Sequence, residues 1–428
     1  MGRHTGMISV EDHLARILST CSSLPSLRLG LLDAQGCVLA EDVISEVELP
    51  GFRNSAMDGY AVWAEDVADA SPDNRVRLPV VHDIAAGNTQ VLSLARGQSM
   101  RIMTGAPVPA GADAVVPVEQ TDRGIARVTI SAPAGPGQHL REAGVDVKQG
   151  DVVLRPGTVL GPRHLALLAA VGRGSAQVVP KPRVVVLSTG DELIEPGTRP
   201  GFGQVVDSNG IMVAAAVRSV GAVSYRVGIV RDDARSLSLA LEDQLVRADV
   251  LITTGGVSAG AYDTVKEVLS AVGTVQFDKV AMQPGMPQGF GTLRQGGLAR
   301  AGDGAAEAGV PVFTLPGNPV SAMVSFQVFV APALRRMAGR PARDLALIPA
   351  AAEHGWTSPE GKTQFARVVL TRGEDATFSA ALAGGQGSYV LGGLAAANAL
   401  AIVPADTTTV VAGDVVQCHP LDPVAEAL

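Results

Sequence analysis

Cysteine is nearly absent from these 428 residues: Cys21, Cys37 and Cys418 lie far apart and no C-x-x-C occurs. That excludes a zinc ribbon and a disulfide framework and suits a reducing cytoplasm. Aromatic residues make up only 4%, too few for platforms that stack bases. Positive charge is not in excess either, since 34 Lys and Arg against 42 Asp and Glu give a net charge of −8. A broad nucleic-acid face needs surplus cations to displace counterions, so nucleic acid is not expected as a partner. A local basic pocket for a small anion stays open. Long apolar runs are missing too. LALLAAVG at 165–172 is far too short to span a bilayer, and the start MGRHTGMISVEDHL has no signal-like apolar region. No membrane partner is expected.

What is abundant is apolar residues (46%), glycine (49) and proline (27), the mixture of a compact enzyme with many tight turns. The length suggests two to four domains. Residues 9–22 read as a helix, with Ser9 as cap and Leu14, Ile17 and Leu18 on one face. From about 46 to 146 short Val-rich runs broken by Gly and Pro predict a β-rich insertion. Helix returns around PRHLALLAAVG, which makes the first domain discontinuous, 7–45 with 147–178. From 179 to 336 the runs PRVVVLS, SYRVGIV, ADVLITT and VPVFTL alternate with helical patterns near 208–220, 233–247, 262–272 and from 319. Strand and helix in turn predict a doubly wound α/β domain. RQGGLARAGDGAAEAG (294–309) reads as a hairpin tip, and 337–428 as a small β-barrel.

Four polar motifs follow the four α/β strands: STGDE (188–192), RDD (231–233), TTGGVSAGAYD (253–263) and LPGNPVSA (315–322). All would sit at the carboxyl edge of the sheet, where open α/β folds bind ligands. TTGGVSAG, with Gly255, Gly256 and Ser258, lacks the P-loop lysine and does not fit G-x-G-x-x-G. It reads either as an ordinary strand-to-helix turn or as amides around a phosphate. LPGNPVSA reads equally as a capped helix start, Asn318 before Pro319, or as an anion site at a helix end that includes Ser321. Glu192, Asp232 and Asp263 are each a plausible solvated loop residue taken singly. Two carboxylates about 5 Å apart repel by roughly 3 kcal/mol at an effective dielectric near 20. Three on one rim therefore point to a hard divalent cation such as Mg²⁺. Asp58 in NSAMDGYAV and Thr104 in RIMTGAPVP are either turn residues or functional ones.

Taken in order, NSAMDGYAV, RIMTGAPVPAGADAVV, VVLSTGDEL…VVDSNG, GIVRDD, ITTGGVSAGAYDTVKEVL and FTLPGNPVSA resemble the molybdopterin molybdenumtransferases, the MoeA-like family related to the C-terminal part of gephyrin. The likeness runs from about residue 9 to the C-terminus. It implies a central α/β domain similar to the molybdopterin adenylyltransferase fold, a discontinuous helical domain, a β-rich inserted domain and a C-terminal β-barrel. It also implies a homodimer whose active cleft is shared between subunits, and possible transient contact with the adenylyltransferase. The implied reaction takes adenylylated molybdopterin and molybdate, requires Mg²⁺, and releases AMP and molybdenum cofactor. By position the implied catalytic residues are Asp58, Thr104, Glu192, Asp232, Asp263 and Lys279, with Glu192, Asp232 and Asp263 on the metal. The implied substrate contacts are Ser188, Thr189, Gly190, Gly255, Gly256, Ser258, Gln283, Asn318, Pro319, Ser321, Arg367 and Ser388.

Two departures stand out. Ala261 replaces an aspartate frequent in the family, and the family's K-P-G-K-P is here Gln283-Pro284-Gly285-Met286-Pro287. Micromolar binding needs about 8 kcal/mol, and a helix end supplies roughly 0.3–1, or about 2 when partly buried. Turn amides cannot replace two ammonium groups, so Arg367, with its donor fork, is expected to carry more of the anion's charge. Three readings follow: Gln283 serves as a neutral donor, molybdate is held weakly, or the chain is a paralogue. The paralogue would use tungstate or hydrolyse a nucleotide-pterin pyrophosphate without efficient insertion. The first is favoured because the rest of the rim is intact. A scaffold protein would need a partner surface but not the acids.

Overall fold

The computed structural model describes residues 6–255, 264–294, 309–342 and 347–421. Met1–Leu27, Gly36–Val38 and Val179–Leu428 form one compact unit, Arg28–Gln35 and Leu39–Val178 the other. In the first unit six strands make one sheet: β1 (Arg183–Thr189), β2 (Val223–Val230), β3 (Val250–Thr254), β4 (Gln276–Lys279), β5 (Pro287–Leu293) and β6 (Val310–Leu315), in the order β2-β1-β3-β6-β5-β4. The four strands expected from the alternation, β1, β2, β3 and β6, run parallel. β5 and β4 complete the sheet antiparallel. The hairpin between β5 and β6 closes at Leu293↔Val310, and all of its expected tip (294–309) but the two end residues lies outside the described residues.

The inner parallel strands β1, β3 and β6 are buried and mostly apolar because both faces are covered. Val184, Val186, Val250 and Ile252 pack on one face with Val213 and Val217 of α1 (Ser208–Ser219). Val185, Leu187 and Leu251 pack on the other with Leu237 and Leu241 of α2 (Ala234–Leu245) and Val265 and Leu269 of α3 (Thr264–Val272). The period of two within each strand thus feeds two separate cores, as a doubly wound sheet requires. Asp207 starts α1 by accepting from Gly210 N at 2.8 Å. After β6, α4 (Pro319–Ser325) continues through a π-helical turn, Phe326–Val330, into Ala331–Met337. The N-terminal helix, Val10–Thr20, is capped by Ser9, whose hydroxyl accepts from Asp12 N at 3.0 Å. It buries Val10 and Ile17 in the same core as α4.

The expected C-terminal barrel is closed. Thr363–Arg372 pairs with Phe378–Leu382, and pairing continues through Ile348–Ala352, Val415–Pro420 and Ala399–Val403 back to Thr363–Arg372. Val368, Leu370, Ala380 and Ala401 lie in its core. Met282–Gln283, just after β4, adds to this barrel by pairing in parallel with Thr363–Gln364.

The second unit is rich in β structure, as expected for 46–146. Its main sheet runs Ala114–Pro117, Gly59–Val62, Ser99–Ile102, Val76–Ile84, Arg127–Ile130. Gly59 is required by close packing, since a Cβ there would lie 2.0 Å from the Val116 carbonyl oxygen. The second expected helix forms at Pro162–Ala170. All three cysteines are buried free thiols, and no helix among the described residues is long and apolar enough to cross a membrane.

Candidate active site

β2 lies on one side of β1 and β3 on the other, so the chain reverses its winding between β1 and β3. A crevice opens at the carboxyl ends of strands at such a switch point. Here it is a cavity of about 760 Å³, large enough for a nucleotide-sized ligand. One wall comes from the strand ends: Thr189, Gly190 and Glu192 after β1, Asp232 after β2, Gly255 after β3, and Pro316, Gly317, Asn318 and Ser321 after β6. The other comes from Met282–Pro287 and from two barrel segments, Lys362 and Gln386–Tyr389.

The strand-end wall is built by short turns. Gly255 has φ +98°, and a Cβ there would press to 3.0 Å on the Thr189 carbonyl oxygen; both features demand glycine. The loops after β1 and β2 are tied by Asp232 N donating to Asp191 Oδ1 at 3.3 Å. Thr264 Oγ1, at the start of α3, donates to the Asp232 carbonyl at 3.1 Å. Neither the Glu192 nor the Asp232 carboxylate forms a hydrogen bond or ion pair among the described residues. Ser188 is one place too early to reach the cavity. It is buried in the sheet and accepts from Thr254 Oγ1 at 3.1 Å.

Asn318 departs from the capping role its position suggests. Its side chain makes no cap hydrogen bond; Nδ2 donates to Ser388 Oγ at 3.0 Å. The Ser388 carbonyl accepts from Val320 N at 3.1 Å, and Pro319 has no N–H to offer. The helix end is therefore mostly satisfied by the barrel loop, and the free-amide anion site is reduced to the neighbourhood of Ser321. On its other side the P-G-N-P turn is held by Asn209 Nδ2, which donates to the Gly317 carbonyl at 2.6 Å.

Arg367 corrects an expectation. It is 1% exposed, and its guanidinium donates to the carbonyls of Gly387 (3.1 Å), Val390 (3.3 Å) and Gly385. Its donors hold the Gly385–Val390 loop, and the side chain is not part of the cavity wall. Burial lowers its pKa. The cause is the path of that loop, whose carbonyls meet the side chain. Lys279 is also off the wall, exposed at the end of the edge strand β4. Gly256, Ser258, Ala261 and Asp263 lie outside the described residues.

In the second unit Asp58 and Thr104 do meet. Gly59 pairs with Ile102, which brings the residues beyond each strand end together. Asp58 Oδ1 accepts from Thr104 N at 2.6 Å and from Thr104 Oγ1 at 2.8 Å. These two bonds, the backbone one first, hold the Asp58 pKa below the ordinary aspartate value.

Four wall or support residues escaped the sequence reading: Lys362, Gln386 and Tyr389 on the barrel side, and Asn209 behind the P-G-N-P turn. Only Asn209 had a local signal, its place in VVDSNG before a helix. The wall offers a cation two hard carboxylate oxygen donors, Glu192 and Asp232. No cluster of three or more His, Cys, Asp or Glu suited to a metal exists among the described residues. Two carboxylates fit a Mg²⁺ that is shared with substrate phosphates, not one caged by protein alone.

Three family models match along the chain: "MoeA N-terminal region (domain I and II)" over residues 8–172, "Probable molybdopterin binding domain" over 185–336, and "MoeA C-terminal region (domain IV)" over 349–421. Molybdopterin molybdenumtransferase 2 of Mycobacterium tuberculosis is 44% identical over 417 residues, covering 96% of this chain and 99% of the relative. The molybdopterin molybdenumtransferase of Staphylococcus aureus is 33% identical over 368 residues, covering 85% and 84%. A crystal structure of the molybdopterin biosynthesis MoeA protein from Pyrococcus horikoshii OT3 superposes with a TM-score of 0.71 at 29% identity, covering 97% of this chain and 100% of that one. With the doubly wound sheet, the β-rich unit and the closed barrel all in place, the chain belongs to the MoeA family of molybdopterin molybdenumtransferases.

Proposed function

We propose that this chain is a molybdopterin molybdenumtransferase acting in molybdenum cofactor biosynthesis, which inserts molybdate into adenylylated molybdopterin and releases AMP and the finished cofactor. The observation that carries this is the cavity at the β1/β3 switch point, where two carboxylates with no partner among the described residues share a wall with glycine turns. The P–O–P bond of the substrate is cleaved by water, giving two phosphate monoesters. Thr189, Gly190, Gly255 and Gly317 let backbone approach the phosphates closely. Glu192 and Asp232 would hold Mg²⁺, which when bound supplies charge neutralisation on phosphate oxygens. Tyr389, 76% exposed on the wall, offers an aromatic face to a planar ring of the substrate.

Asp58 is kept ionised by Thr104, and we place this pair in a cleft completed by a second copy of the chain. The substrate would be made by a separate adenylyltransferase in the cytoplasm. The test is AMP release from adenylylated molybdopterin with Mg²⁺, with and without molybdate. Molybdate-dependent release with active cofactor formed is expected. Release indifferent to molybdate would replace insertion by simple hydrolysis of the pyrophosphate, the paralogue reading.

A further inference from the structure

The turn Met282–Pro287 lines the cavity but brings no charge to it: Gln283, Pro284, Gly285, Met286 and Pro287 are all neutral. The described wall holds two carboxylates, Glu192 and Asp232, and one cation, Lys362. A dianion entering such a cavity meets net repulsion unless it sits beside the lysine and away from the acids. The fold makes that separation. Glu192 and Asp232 follow β1 and β2, whereas Lys362 immediately precedes the barrel strand Thr363–Arg372. That strand pairs with the neutral turn, Met282 opposite Thr363 and Gln283 opposite Gln364. Thr363 N donates to the Ala281 carbonyl at 3.0 Å. Lys362 is thus anchored through its neighbour next to the segment that has no cation of its own.

Its ammonium is also uncommitted. Lys362 is half-buried and makes no side-chain hydrogen bond or ion pair among the described residues. Arg367, five residues on, has both terminal guanidinium nitrogens on carbonyls and is not part of the cavity wall. On the same side of the cavity Ser388 Oγ already accepts from Asn318, which leaves its own O–H to donate outward. Gln283 adds amide donors on the wall.

We propose that Lys362 is the charged group of the oxyanion subsite in this chain, binding molybdate with help from the Ser388 hydroxyl and the Gln283 amide. This rests on the molybdate-insertion reading above and names the residue that makes it possible despite the neutral turn. The subsite is anion-selective by charge and tetrahedral-oxyanion-selective by its three donors. With no carboxylate partner among the described residues, the Lys362 ammonium can give charge-assisted hydrogen bonds to the ligand.

The test is titration calorimetry of the full chain with sodium molybdate, comparing wild type with Lys362→Met and Lys362→Arg, alongside AMP release by wild type. Because the Lys362 side chain makes no hydrogen bond among the described residues, both variants should keep the wild-type melting temperature. Lys362→Met is expected to weaken molybdate binding about 10- to 100-fold, the usual range for one charge-assisted bond. Lys362→Arg should stay within a few-fold of wild type. Equal affinity in wild type and Lys362→Met overturns the inference, and so does a wild type that fails to bind molybdate at millimolar concentration. Lys362-dependent binding in a protein that never releases AMP would instead sink the insertase reading and leave the subsite standing.

Discussion

Asp58 in one unit and Glu192 with Asp232 in the other are carboxylates that the fold treats in opposite ways. Asp58 is already satisfied: Thr104 gives one oxygen both a backbone N–H and a hydroxyl, and the acid is held ionised in a fixed orientation. Glu192 and Asp232 stand on the cavity wall with no partner among the described residues. The cations of the barrel repeat the contrast. Arg367 is buried against three carbonyls, while Lys362 lines the cavity with no side-chain partner among the described residues. A charge bonded inside the fold is architecture or orientation. A charge left open on a concave wall waits for a ligand, and the open ones here are the hypotheses for chemistry.

Removing both open acids should break this contrast most severely. In Glu192→Gln with Asp232→Asn the wall keeps its shape but loses the oxygen donors for a shared cation. AMP release is expected to fall on the order of 10²–10³. Molybdate affinity should hold or rise, because two negative charges leave the cavity that the dianion enters. Activity within a few-fold of wild type would show that the acids are ordinary loop residues.

The matching test on the satisfied cation reads stability. Arg367→Met leaves the carbonyls of Gly385, Gly387 and Val390 without their donor. Losing a charged partner costs about 1–3 kcal/mol for a buried acceptor; Gly385 is exposed and Gly387 and Val390 are half-buried, so about 1–3 kcal/mol in total is expected in a urea titration. Weaker molybdate binding would follow only indirectly, through movement of Ser388. If Arg367→Met instead melts like wild type while molybdate binding disappears, the guanidinium turns to the ligand and the distinction between the two cations fails.

These pairs also show what was legible in the sequence. The α/β sheet, the β-rich unit and the barrel followed from strand-and-helix alternation and from turn residues, all local properties. The strand-end wall was legible for the same reason: each motif follows its own strand, so placing the strands places Thr189, Gly190, Glu192, Asp232 and Gly255. The barrel wall was not. Lys362 reaches the cavity only because Met282–Gln283 pairs with Thr363–Gln364, a contact across a long stretch of chain that no periodicity reports. Arg367 looked like a ligand because the family resemblance implied an oxyanion contact at its position and its donor fork suits one. Whether a guanidinium points inward to carbonyls or outward to a ligand depends on a loop, Gly385–Val390, whose path the sequence does not state. Asn318 misled in the same way, its capping group drawn off by Ser388.

The gentlest probe acts on Asp58. Thr104→Val keeps the side-chain shape and the backbone N–H bond at 2.6 Å but deletes the hydroxyl bond at 2.8 Å. The folded-state pKa of Asp58 is depressed, so its contribution to stability is present above the unfolded pKa and fades as pH falls through the folded one. Losing one of two donors should move the folded value part of the way back up, and the fading should begin at a higher pH. Because Asp58 is exposed, the effect on overall stability should be small. The direct readout is the carboxyl carbon titration of Asp58 by NMR in aspartate-labelled protein, assigned with Asp58→Asn. An upward shift with an unchanged fold supports the view of Thr104 as the group that orients and ionises Asp58. A titration that does not move would assign the depression to the backbone N–H, with the nearby Arg101 charge, and the Thr104 hydroxyl would then be free to act on a ligand.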